Sequence, residues 1–203
     1  LEGDIDVNGT SNLDNTDIDG TLVVDGGNIT FNEDSGDYDF RVESNGNANA
    51  IFLDAGVGSV TMAEQPAFLA HPALAQNNIA ADNSAVTIVY GTEIFDQGAD
   101  FTGNTFTAPV TGKYQFNVLT RLENVDTAST YYRIILKTSN REIEISIFDP
   151  DGLDSDPTYW NLSGSVLADM DASDTAYMII HQASGTAQTD IATDSTFSGF
   201  LAC

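Results

Sequence analysis

The chain has few basic residues and a single cysteine. Its 203 residues include six lysines and arginines against 31 aspartates and glutamates, which gives a net charge of −25. Phosphate binding needs basic side chains, so no nucleic-acid partner is expected. Cys203 cannot form a disulfide within the chain or build a thiolate zinc site alone.

Long apolar runs and helical periodicity are also lacking. No stretch reaches the roughly 18 apolar residues of a membrane span, so no membrane insertion is expected. Apolar and polar residues alternate instead, as in KYQFNV and in REIEISIF, where Ile143, Ile145 and Ile147 are expected on one face. Acidic turn clusters separate such runs at short spacing, which is typical of an all-β sandwich or barrel.

Residues 1–64 differ in composition from the rest of the chain. They are rich in Asp, Asn and Gly, and VNGT (7–10) and IDGT (18–21) form a loose repeat. Short strands between regular turns bury little surface alone, which favours a fibrous stem shared between chains. The alternative is a flexible acidic linker. The runs LVV, YDFRV and AIFLDA predict short strands, so we expect a β-rich stem or linker over 1–64 and a head domain over 65–203.

The segment FTAPVTGKYQF, residues 106–116, predicts two strands joined at a tight corner. Phe106 is expected to point inward, and Pro109 ends the first strand because it cannot donate to the ladder. Gly112 is expected to give the corner backbone freedom. Tyr114 and Phe116 then begin the inward face of the second strand.

The closing segment STFSGFL, residues 195–201, carries apolar side chains on both faces. Phe197, Gly199 and Leu201 share one face, whereas Phe200 and the following Ala202 share the other. A strand of a sandwich needs only one buried face, so the second face is expected to be covered by another subunit. Phe200 and Ala202 are therefore the predicted interface residues.

Five segments of the chain, taken in order, resemble the globular C1q-like domain: AFLAH; VTIVYG with FDQGADFTGNTFTAPVTGKYQF; YYRIILKTSNREI; YWNLSGSVLADMDASDTAYMII; and STFSGFL. The resemblance covers residues 66–203. It implies a jelly-roll sandwich of the C1q and tumour-necrosis-factor type, assembled as a homotrimer. The usual Gly-Asp pair before the penultimate strand is replaced by Ala172, Ser173 and Asp174, so only the turn is preserved.

Three N-terminal segments resemble virion structural proteins of tailed phages: DIDVNGT, DIDGTLVVDGG and SGDYDFRVESNGNANAIFLDAGVG. The resemblance implies a trimeric fibre or spike on the virion surface, whose stem contacts other virion proteins. Its head would attach to a receptor or glycan of the host surface. The alternatives are a capsid-decorating or cement protein and a secreted or surface-displayed cellular adhesin.

Acidic residues supply the candidate metal ligands. Hard divalent cations prefer clustered oxygen ligands on a turning loop, and one loop carries four carboxylates: Asp149, Asp151, Asp154 and Asp156. A polar surface turn is the alternative. Some C1q-like domains bind calcium, and this resemblance makes Asp96 and Asp100 secondary candidates. No cofactor is required, and calcium is the candidate ion.

Aromatic side chains beside loops are candidates for recognition, and we select Tyr159 and Trp160. Enzymatic activity is not expected. Carboxylates are so abundant that a pair at glycosidase spacing would arise by chance. Moreover, Ser163 and Ser198 lack the G-x-S-x-G turn that positions a hydrolase nucleophile.

Overall fold

The computed structural model describes residues 18–23, 31 and 36–203, and all regular structure in these residues is β-strand. The strands are β1 (Phe40–Val42), β2 (Ile51–Asp54), β3 (Ser59–Thr61), β4 (Ala67–His71), β5 (Val86–Thr87), β6 (Thr92–Gln97), β7 (Phe101–Thr102), β8 (Thr105–Thr107), β9 (Gly112–Glu123), β10 (Tyr131–Thr138), β11 (Glu142–Phe148), β12 (Tyr159–Met170), β13 (Thr175–Ala183), β14 (Asp190–Ile191) and β15 (Thr196–Leu201). Among these residues we find no helix that could serve as a membrane span.

Strands β1, β2 and β3 form a small sheet in that order. They confirm the strands predicted in YDFRV and AIFLDA. In LVV, residues 22 and 23 lie outside any strand, whereas Val24 and the VNGT segment are not among the described residues. Contacts divide the chain into two compact units, Leu1–Phe40 with Leu53–Val60, and Arg41–Phe52 with Thr61–Cys203. The boundary after residue 64 stays a prediction.

The larger unit contains two six-stranded antiparallel sheets, which form the predicted sandwich. We call them the β10 sheet, ordered β11-β10-β13-β8-β7 with β5 beside β13, and the β9 sheet, ordered β12-β9-β15-β4-β6 with β14 beside β9. Strand β9 alternates as predicted, because Tyr114, Phe116 and Val118 are buried. Thr120 and Leu122 continue this buried face, and since side chains of a strand alternate between its faces, the residues between them point away from the core.

Aromatic rings fill the core between the sheets. Phe68 stacks on Phe101 with ring centroids 4.6 Å apart and meets Phe197 edge-on at 5.0 Å. Gly199 of β15 lies against this cluster, since a Cβ there would come within 2.7 Å of the Phe116 ring and 2.8 Å of the Phe68 ring. The glycine of STFSGFL therefore makes room for two core aromatics.

The corner in FTAPVTGKYQF is confirmed in its main features. Phe106 is fully buried in β8, and the strand ends before Pro109. The role expected of Gly112 was wrong, however, because this glycine has no positive φ. A Cβ at Gly112 would instead meet the Leu201 side chain at 2.6 Å and the Cys203 carbonyl oxygen at 2.9 Å, so close approach of the chain requires the glycine here.

Strand β11 departs from its predicted alternation. Ile143 and Ile145 are partly buried, but Ile147 is 56% exposed. The register with β10 shifts between Ile134 and Ile135, which leaves Ile145 as an extra residue. Such a bulge reverses the faces of the residues that follow it. Phe148 therefore turns inward in place of Ile147.

The two ends of the sandwich are distinguished by strand β9. The first residues of β9 lie beside Cys203, since the Lys113 amide donates a hydrogen bond to the Cys203 carbonyl at 2.7 Å. We call the other end, at Glu123, the apical end. Strand β12 begins there, because Tyr159 pairs with Glu123. The β9–β10 and β11–β12 loops consequently lie at the apical end.

Candidate subunit interface and recognition surface

The outward face of the β9 sheet, the face turned away from the core, carries an uncharged band. Strand pairing places three rows of side chains across it: Leu167, Gln115, Phe200, Ala67 and Gln97; Ser165, Asn117, Ser198, Leu69 and Phe95; and Ser163, Leu119 and Thr196. None of these residues is charged, although the chain has a net charge of −25. The band therefore avoids the acidity that dominates the composition.

Large apolar side chains are exposed within this band. Phe200 is 44% exposed, Phe95 49% and Leu167 52%. Burial of such side chains is favourable because it removes apolar surface from water. The structure thus places Phe200 as the alternation of STFSGFL predicts, opposite the buried Phe197. Ala202 is exposed too, just beyond β15. Their contact with another subunit stays a prediction.

Charged residues begin immediately beyond the band. Towards Cys203, Lys113 and Asp169 are register partners on adjacent strands. Asp169 forms an ion pair with Arg141 at 2.9 Å. Towards the apical end, Arg121 is the register partner of Asn161 and Glu123 that of Tyr159. The uncharged rows are therefore bounded along the strands by charged ones.

The apical rows form an open pocket around Tyr159. The Arg121 guanidinium lies over the Tyr159 ring, 4.3 Å from its centroid, and forms an ion pair with Asp194. Asn161 and Trp160 complete the lining of this cavity of about 450 Å³. Tyr159 is 54% exposed. Its role in recognition stays a prediction, but its ring is accessible in the isolated chain.

Trp160 occupies a different environment from its neighbour. It faces the partly buried side of β12, and its ring stacks on Phe148 at 4.0 Å with an interplanar angle of 13°. The two rings differ because alternation sends consecutive side chains to opposite faces, and the role of Trp160 in recognition stays a prediction. Trp160 therefore holds the start of β12 in place while its edge lines the pocket.

The four carboxylates of the β11–β12 loop do not converge on one point. Asp149 accepts a hydrogen bond from the Asp151 amide at 3.0 Å. Asp156 accepts from the hydroxyl and the amide of Thr127 at 2.6 and 2.8 Å, which lowers the pKa of Asp156. Among the described residues, no three of Asp149, Asp151, Asp154 and Asp156 form a metal-sized group. Calcium binding there stays a prediction and would require the loop to rearrange.

The secondary candidates, Asp96 and Asp100, lie together in one turn. Asp96 accepts hydrogen bonds from the amides of Asp100 and Phe101 at 3.1 and 3.0 Å. Burial raises the pKa of Asp100, and the nearby charge of Asp96 raises it further. The mutual repulsion would be relieved by a cation, but the hydrogen bonds also give Asp96 a structural role in the turn.

Sequence reasoning missed two acidic features. Asp37, Asp39 and Asp54 lie with carboxylate oxygens within 4.8 Å of one another in the smaller unit. Separately, Asp126 is buried in the apical β9–β10 loop and accepts hydrogen bonds from the amides of Ala128 and Ala187 at 2.8 and 2.6 Å. Neither feature has a spacing signal, because each joins residues from separate segments.

Asp126 joins two apical loops. Burial alone would raise its pKa, but hydrogen bonds from the amides of Ala187, Ala128 and Thr186 outweigh that effect and lower the pKa overall. Its partners Thr186 and Ala187 lie between β13 and β14. The ionised carboxylate therefore ties the β9–β10 loop to the β13–β14 loop.

The family model of the C1q domain matches residues 67–202. The chain therefore belongs to the C1q domain family, and the head of this chain is an all-β sandwich of two antiparallel sheets. The resemblance to the C1q-like domain is confirmed, as is the predicted all-β sandwich, whereas the homotrimer stays a prediction.

Solved structures with a similar fold include the globular domain of zebrafish complement 1qA protein. It is 18% identical with a TM-score of 0.47, and the alignment covers 69% of this chain and 98% of that chain. Murine APRIL at pH 8.5 is 12% identical with a TM-score of 0.47, over 68% of this chain and 98% of that chain. The comparison with curated protein sequences gives no significant match.

Proposed function

We propose that this chain assembles as a homotrimer through the uncharged band of the β9 sheet, and that its C1q domain is a non-enzymatic binding head. The observation that carries the proposal is the band itself, with Phe200, Phe95 and Leu167 exposed in it. The trimer is the assembly that the family resemblance implies, and Phe200 is its predicted contact residue.

The charge distribution favours this face over others. Three chains of net charge −25 repel one another, and this repulsion opposes assembly. Contact through the uncharged rows avoids burying like charges of neighbouring chains next to each other. Salt screens the repulsion between charges that lie farther from the contact. Exposed apolar side chains then supply the favourable free energy.

The solution mass of the chain tests this proposal. Sedimentation equilibrium or light scattering is expected to give three times the 21.6 kDa of one chain. The mass should stay the same at high salt, because apolar burial dominates the contact and screening reduces the repulsion. A mass of one or two chains at micromolar concentration would overturn the trimer.

The biological setting is a further part of the proposal: the trimer is the head of a virion fibre or spike at the particle surface, attached to other virion proteins through residues 1–64. Support comes from the N-terminal segments that resemble tailed-phage proteins, much of which lie outside the described residues. Three weak heads on one axis would bind a multivalent host surface far better than one.

Two experiments separate this setting from its alternatives. Immunogold labelling of purified particles should place the protein on a fibre or spike, and the isolated trimer should bind host cells. Particles that carry the protein but lose shell stability without it, with no host-cell binding, would indicate a cement protein. Absence of the protein from particles would indicate a cellular adhesin.

A further inference from the structure

We propose that the apical pocket around Tyr159 binds a neutral pyranose ring of a glycan. This inference rests on the proposed function, since it names the ligand class of the binding head. Its basis is the pocket formed by Arg121, Tyr159 and Asn161 with Asp194 beside it, and the charge of its surroundings. The sequence pattern singled out only the aromatic pair.

The open pocket is large enough to admit a small ligand and lies at the apical end. Its volume of about 450 Å³ is within the range of roughly 300 to 1,000 Å³ that is usual for small-molecule sites. Arg121 and Asn161 are register partners on adjacent strands, and Tyr159 lies two residues before Asn161 on the same face. The rows of Arg121 and Glu123 are charged and lie beyond the uncharged band. The proposed subunit contact is centred on the band, so the apical pocket lies outside the centre of that contact.

The pocket is held in shape before any ligand binds. The Ser195 hydroxyl accepts a hydrogen bond from the Arg121 amide at 3.0 Å, and Asp194 forms an ion pair with the guanidinium. Behind the pocket, Trp160 stacks on Phe148. A preformed site loses little side-chain entropy on binding, which matters for a weak ligand such as a single sugar.

The side chains match the two surfaces of a pyranose. An aromatic ring offers an apolar face, against which the C–H face of a sugar can pack. Hydroxyl groups need donors and acceptors at the edges, and the Asn161 amide provides both. The Asp194 carboxylate accepts hydrogen bonds only. Because the guanidinium covers one face of the Tyr159 ring, the sugar would use the remaining exposed ring surface.

Charge selects against ionised sugars. An anionic sugar would meet Glu123 and Asp190, which are register partners at the apical end, and a chain of net charge −25. The positive charge of Arg121 is already compensated by Asp194. A cationic sugar would have to share Asp194 with that guanidinium, and the cation position over the Tyr159 ring is occupied. A neutral ring avoids both costs.

Binding can be tested by NMR titration of the intact chain with the methyl glycosides of glucose, galactose and mannose. At least one is expected to shift the resonances of Tyr159 and Asn161, whereas methyl glucuronide and glucosamine should bind more weakly. Tyr159→Ala should reduce the affinity at least about tenfold, the effect of losing about 1.4 kcal/mol. The overall fold is expected to persist, because the Tyr159 side chain is largely exposed.

The matched control is Tyr131→Ala, because Tyr131 also lies against an arginine, with the Arg133 guanidinium 5.5 Å from its ring centroid, but on the β10 sheet. Binding should be unchanged in this variant. The proposal is overturned if no neutral glycoside shifts these resonances, if the charged sugars bind more tightly, or if both variants behave alike. The solution mass of the same samples distinguishes failure of the sugar site from failure of the trimer. A trimer that binds no sugar refutes the sugar site and leaves the trimer intact.

Discussion

Replacing Phe200 by aspartate should dissociate the assembly. Phe200 exposes 44% of its surface in the single chain, which is about 90 Å² if phenylalanine offers roughly 200 Å². At about 25 cal/mol per Å², covering it contributes about 2 kcal/mol per chain, or about 6 kcal/mol for three chains. The association constant should therefore fall at least roughly 10⁴-fold, since each 1.4 kcal/mol is a factor of about ten. The introduced carboxylates add like-charge repulsion.

The assay is sedimentation velocity of native and variant chains over a range of concentrations. Phe200→Asp should sediment as a monomer with unchanged circular dichroism, because the side chain points away from the core. Ile147→Asp is the control, since Ile147 is also exposed in a strand but belongs to the β10 sheet. It should leave the assembly intact. If Phe200→Asp remains trimeric, the reasoning about the uncharged band is refuted.

Three further predictions concern stability. Asp126→Asn should lower the free energy of unfolding by about 3 kcal/mol, because an amide cannot replace a buried ionised acceptor. Since the pKa of Asp126 is lowered in the folded state, the stability that it contributes is complete above the ordinary aspartate pKa and is lost as the pH falls through the folded value. Between pH 5 and pH 3, the free energy of unfolding in urea should therefore depend less on pH in the variant than in the native chain. The same pH dependence in both proteins would contradict this. Gly199→Ala should lower the free energy of unfolding, measured in urea, by about 1 to 3 kcal/mol, because the added Cβ overpacks the core. Gly152→Ala is the control and should be neutral, since a Cβ there meets open space. Equal effects of the two substitutions would contradict the overpacking at Gly199. If calcium binds the β11–β12 loop, removing it with a chelator should lower the Tm, because an ion at a hundred times its Kd stabilises by about 2.7 kcal/mol. A Tm that does not change when chelator is added would contradict calcium binding by this loop.

Several features of the head could be read from local patterns. The alternation in KYQFNV predicts the inward face of β9, and the corner after Phe106 follows from proline chemistry. The two-faced final strand predicts that Phe200 lies opposite the buried Phe197. These predictions succeed because the period-two geometry of a strand and the missing amide hydrogen of proline are both local properties, which neighbouring residues specify.

Other features depend on pairing between strands and could not be read in this way. The extra residue at Ile145 exposes Ile147, and only the register with β10 reveals it. Likewise, the pocket combines Arg121 with Tyr159 and Asp194, which are separated by tens of residues. No local spacing links them, since antiparallel pairing of β9 with β12 and the turn before β15 bring them together.

Strand formation, the buried faces of β9 and β15, and the family of the head could all be read from the amino-acid sequence. Local alternation, turn chemistry and motif order carry that information. By contrast, two features emerge only in the folded chain: the uncharged rows that cross five strands of the β9 sheet, and the buried contact by which Asp126 joins two apical loops. Sheet faces and buried polar contacts combine several segments at once, and the register of those segments is set by packing across the whole sandwich.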